Sequence, residues 1–100
     1  MLHTVNKSPF ERSNLDACLK RAAKGSAILL YEDAVYAAVA GTAVAERVAQ
    51  AAQEHEIYVL APDLQARGMM DATLVEGVRT VDYTGFVELV AAKGTTTAWL

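Results

Sequence analysis

Apolar and polar residues along this chain follow two different periods. Residues 2–5 form a brief β-like run, 27–31 (AILLY) and 57–61 (IYVLA) are continuously apolar, and 78–81 (VRTV) makes a fourth short segment. Continuous apolar runs are buried on both faces, as in a parallel sheet covered by helices. Between them lie stretches with helical punctuation. Ser13 or Asn14 can cap a helix running to about Lys24, with Asp16 near its positive end and Gly25 placed to stop it. Thr42 can cap the next, over residues 43–54, where Val44, Val48, Ala51 and Ala52 recur at helical spacing. Pro62 opens a short turn ended by Gly68. A last helix is predicted from Thr84 or Gly85 to Lys93, with Phe86, Leu89 and Val90 on one face.

Strand, helix, strand, helix in this order predicts an α/β chain, and no repeat or linker divides residues 1–100 into more than one domain. The tail departs from the order. Thr95 to Thr97 favour extended backbone, and Trp99 with Leu100 would place a large apolar surface at a chain end that is normally frayed. Residues 95–100 are therefore expected to be a docked tail, lying on the domain's own core or on a neighbouring subunit.

Composition adds a demand for cover. Apolar residues make up 53 % of the chain and charged ones 21 %, more apolar surface than a core of this size needs. An oligomer interface is the ordinary outlet. The net charge is −3 with Lys and Arg scattered, which argues against direct nucleic-acid binding. The most apolar stretch, 34–44, is broken by Tyr36, Gly41 and Thr42 and is too short to span a bilayer. The start, MLHTVNKSPFER, lacks the pattern of a signal peptide, and a lone cysteine suits a reducing compartment, so a cytoplasmic location is expected.

That lone cysteine is the plainest candidate for chemistry. On a helix from residue 14, Leu15, Leu19 and Ala22 define the middle of the apolar stripe and Cys18 falls on its edge. A thiol there can be a small packed side chain, or it can be a reachable nucleophile whose thiolate is favoured by Arg21 nearby. Glu32 and Asp33 follow AILLY at the carboxyl end of a predicted central strand, where α/β sheets place ligand crevices. Two adjacent acids could serve acid/base work, but strand ends commonly carry solvated acids, and Asp33 can cap the AVYAAVA segment. Asp63 and Arg67, four apart, make a plausible surface pair. Met69 and Met70 read as core filler or as an adaptable contact surface. His3 and His55 lie in different elements without ligand spacing, and neither glycine-rich phosphate loop occurs, so no metal or cofactor is expected.

Taken together, MLHTVNKSPF, LLYEDAVYAAVAGT, VLAPDLQARG, VDYTGFVELVA and AWL resemble, in order and over nearly the whole chain, the DsrH/TusB family. The resemblance implies a Rossmann-like parallel sheet of four to five strands with helices on both faces. It implies a cytoplasmic hexamer with DsrE/TusD-like and DsrF/TusC-like subunits, two copies of each. The family relays sulfur as a cysteine persulfide, from a TusA-like donor to a DsrC/TusE-like acceptor, with the principal cysteine on the DsrE/TusD partner. This chain is then expected to have no independent activity, Cys18 being at most an auxiliary sulfur-binding thiol supported by Arg21. Two branches share the architecture. One serves 2-thiolation of the tRNA wobble uridine, the other sulfur oxidation, and a cysteine in the first helix favours the oxidation, DsrH, branch. A third reading is a purely structural subunit with an inert cysteine.

Overall fold

The computed structural model describes residues 1–100. Five strands, β1 (Leu2–Val5), β2 (Ala27–Leu30), β3 (Glu56–Leu60), β4 (Arg79–Val81) and β5 (Thr96–Trp99), form one sheet in the order β4-β3-β2-β1-β5, and every pairing is parallel. Four α-helices connect them: α1 (Asn14–Arg21), α2 (Ala45–Ala51), α3 (Ala61–Ala66) and α4 (Tyr83–Lys93). Glu32–Ala38, which overlaps the AVYAAVA segment expected as a short helix, is a 3-10 helix.

Handedness decides which face each helix covers. The chain steps in one direction from β1 through β2 and β3 to β4, then returns past the whole sheet to β5. Right-handed crossovers put the connections of the outward steps on one face and that of the return step on the other. The packing follows. Val5, Ile28, Leu30, Ile57 and Val59 meet Leu15 and Cys18 of α1, Val48 of α2 and Leu64 of α3 in one cluster of 15 buried residues. On the opposite face Leu2, Ala27 and Leu29 are covered by Phe86 and Leu89 of α4. Central strands with both faces covered are why AILLY and IYVLA read as continuous runs.

The first two helices are shorter than their patterns suggested. α1 stops at Arg21 because Ala22 is already extended, with ψ 130°, and α2 spans only Ala45–Ala51. α4 begins before Thr84: the Asp82 carboxylate accepts the Gly85 N–H at 2.8 Å and caps the helix. Its other end is tied across the sheet, where the Lys93 ammonium donates to Glu56 at 2.6 Å and the Tyr58 hydroxyl donates to the same carboxylate at 2.7 Å. Thr96–Trp99 is an edge strand on the chain's own β1, and Trp99 packs against the larger core cluster.

Candidate functional site

Cys18 is not on the rim of its helix. Its exposure is 0 %, and the inward line of α1 runs through Leu15 and Cys18, with Leu19 turned to the flank. The expected edge position is corrected by the fifth strand: α1 lies over β1 and β5, so the sheet continues beneath the side that a narrower sheet would leave open. Burial alone pushes the thiol up to about 12, so it is protonated at neutral pH. Arg21, the expected support for a thiolate, is exposed at the end of α1 and contributes nothing to that shift.

At the carboxyl ends of the central strands the expected acids meet, in a different arrangement from the one their spacing suggested. Glu32 has φ 48°, a left-handed conformation rarely adopted by a residue with a side chain. Its backbone N–H donates to the Asp63 carboxylate at 2.6 Å, and its own carboxylate accepts from Asn6 Nδ2 at 3.3 Å. Asp33 does not cap the 3-10 helix; its Oδ1 takes both Nε and Nη2 of Arg67, at 3.1 and 2.9 Å. Arg67 therefore pairs with Asp33 and touches Asp63 only through that residue's carbonyl, at 3.2 Å. These bonds fasten the loop after β2 to α3, and the local field of Glu32 and Asp63 adds to burial in raising the Tyr31 hydroxyl.

The two histidines are both buried. Trp99 Nε1–H donates to His3 Nδ1 at 3.1 Å, with ring centroids 6.2 Å apart, while His3 Nε2 and His55 Nδ1 are buried without a protein partner. Burial, and the positive charges of the Met1 ammonium and His55, hold His3 below its ordinary 6.5. No group of three or more His, Cys, Asp or Glu side chains is placed to hold a metal ion. A cavity of about 440 Å³ opens between α1 and α2, lined by Asp16, Leu19, Lys20, Arg47, Gln50 and His55 among others, and crossed by the 2.6 Å Asp16–Arg47 ion pair. Cys18 does not line it.

The feature that the apolar pattern of the last helix only half revealed is its outer side. Phe86 and Leu89 face the sheet as expected, but Val90 does not join them. Tyr83, Val87 and Val90, at helical spacing, are 60, 67 and 38 % exposed. A helix that is apolar on two sides has one more apolar face than a single core can cover, and the sequence YTGFVELVAAK carries that signal in having only Glu88 and Lys93 as charged residues. Of the methionines, Met69 packs against the core and Met70 is exposed.

Fold and surface together define a small doubly wound α/β domain with one uncovered apolar helix face. The chain belongs to the DsrH family: the family model described as DsrH like protein matches residues 7–95. Over 99 residues, 99 % of this chain and 100 % of each relative, it is 37 % identical to Protein TusB of Pectobacterium parmentieri. Over the same shares it is 39 % identical to Protein TusB of Erwinia tasmaniensis. Among solved structures, the ychN protein from E. coli superimposes with a TM-score of 0.81 at 16 % identity, over 97 % of both chains. MTH1491 from Methanobacterium thermoautotrophicum does so at 0.69 and 18 %, over 97 % of this chain and 95 % of that one. These two likenesses bear on the fold. No helix of the chain is long and apolar enough to cross a membrane.

Proposed function

We propose that this chain is a non-catalytic subunit of a cytoplasmic sulfur-relay complex that supplies sulfur for 2-thiolation of the tRNA wobble uridine. The observation that carries the reading is full-length identity of 37 to 39 % to proteins named TusB. Its partners are DsrE/TusD-like and DsrF/TusC-like subunits, two copies of each in a hexamer, receiving sulfur from a TusA-like donor and passing it to a TusE-like acceptor. The uncovered side of α4 supports assembly, since an apolar stripe of that kind is costly to leave in water.

The chemistry of the relay is thiol exchange. An incoming thiolate takes the outer sulfur of a persulfide, the S–S bond breaks, and the donor cysteine leaves as a thiolate. The step needs a reachable anion, and Cys18 is sealed and protonated, which supports a packed, inert role for it and a working cysteine on the partner. The second reading, a subunit serving sulfur oxidation with a DsrC-like acceptor, is favoured by the DsrH description of the matching family. Its other support was a cysteine in the first helix, and the burial of Cys18 takes weight from that argument.

Deleting the chain from its source cells tests the reading. Loss of 2-thiolated tRNA, seen as loss of retardation on mercury-containing gels, is expected, with restoration by the wild-type chain and by Cys18→Ala alike. Unchanged tRNA thiolation together with impaired sulfur oxidation would establish the second reading instead.

A further inference from the structure

Strand β5 is held by less than any other strand of comparable length. It pairs with β1 alone, it follows Gly94 at φ 74°, and it carries no ionisable side chain. Its largest side chain, Trp99, makes one polar contact, the indole N–H donating to His3 Nδ1 at 3.1 Å. That bond requires His3 to be neutral with its proton on Nε2. A second proton can be taken only at Nδ1, which turns the acceptor into a donor facing the indole N–H. Two donors repel, and an imidazolium 4 % exposed would also be left without counter-charge.

The surroundings supply none. The groups whose charge acts on His3 are the Met1 ammonium and His55, both of the wrong sign. On α1 the inward ionisable group is the Cys18 thiol, while Asp16 is paired outward with Arg47 and Lys20 and Arg21 are exposed. Strand β2 (AILL) has no ionisable side chain.

We propose that the His3–Trp99 hydrogen bond is a proton-sensitive latch on β5: protonation of His3 releases the C-terminal strand as a strap while the remaining four strands stay folded. Release uncovers the edge of β1 and the flank of the core cluster that contains Cys18. The sign follows from the neutral imidazole favoured by the fold. Its contribution is fully present above the ordinary value of 6.5 and is lost as pH falls below it. An edge strand paired on one side only opens at less cost than the whole domain, so it goes first.

The chain contains a single tryptophan, Trp99, so its emission reports the strap alone. The experiment is an acid titration of the full chain, with Trp99 emission wavelength and acrylamide quenching measured beside far-UV circular dichroism. The expected result is a red shift and increased quenching that precede the loss of dichroism, and that are absent in His3→Gln, whose amide accepts the indole N–H at every pH. Trp99 reporting only at the dichroism transition, or the same early step in His3→Gln, overturns the latch. Should His3→Gln not fold, hydrogen exchange of residues 95–100 in Trp99→Phe decides. Low protection of that segment beside intact β2 and β3 already at neutral pH is expected, and protection equal to wild type refutes the latch.

Discussion

The indole N–H of Trp99 and Nδ1 of His3 are 3.1 Å apart across 96 positions of sequence, joining the last strand to the first. The bond sits beside a core cluster, where a lost partner is not replaced by bulk water. Trp99→Phe keeps an aromatic ring but leaves His3 Nδ1 without a donor. At neutral pH the variant should be less stable by about 1 to 2 kcal/mol. A urea midpoint unchanged from wild type would show that the bond contributes nothing net.

Cys18 yields a chemical prediction of the opposite kind, a reaction that does not happen. With the thiol raised from 9.0 to about 12, its thiolate fraction at neutral pH falls roughly a thousandfold. Iodoacetamide labelling of the native chain should be slower than that of the urea-unfolded chain by at least that factor, as followed by mass spectrometry. The same shift fixes an alkaline limit: the unfolded thiol ionises first, so stability is lost as pH rises from 9.0 towards 12. Cys18→Ala should cost roughly 1 to 2 kcal/mol through the small void it leaves, and Cys18→Ser about 1 kcal/mol more, because its hydroxyl enters an apolar cluster.

The strands and the fold class were legible because buried parallel strands write themselves as continuous apolar runs, and AILLY and IYVLA do so. The exposure of Cys18 was not. A helical projection gives the centre of an apolar stripe but not the width of the surface beneath it, and that width was set by β5, 78 or more positions away in sequence. The acids were located at the right ends of the right elements. Their partners were exchanged, since i, i+4 spacing sees Asp63 and Arg67 but cannot see that β2 and β3 bring Glu32 and Asp33 beside α3. Side chains approaching from separate elements leave no periodic trace.

Glu32 and Asp63 provide a test of that exchanged pairing. The Asp63 carboxylate accepts the Glu32 N–H at 2.6 Å and helps hold a left-handed backbone. Asp63→Ala should destabilise the chain by about 1 to 2 kcal/mol. Glycine relieves the backbone conformation, so in a Glu32→Gly background the loss should be smaller. Equal losses in both backgrounds, measured by a double-mutant cycle in urea, would uncouple the carboxylate from the turn.

The outer face of α4 carries the prediction that bears most directly on assembly. Val87 is 67 % exposed and touches the domain's own core less than Phe86 or Leu89 do. Val87→Asp should therefore alter the stability of the isolated chain by no more than about 0.5 kcal/mol. If α4 makes the subunit contact proposed above, the same change would bury a carboxylate against an apolar partner, a cost association cannot absorb. Light scattering of the variant expressed with its related subunits should show the complex lost while the chain stays folded by circular dichroism. A complex of unchanged mass would move the subunit contact away from α4, and the exposed stripe of Tyr83, Val87 and Val90 would then need another cover.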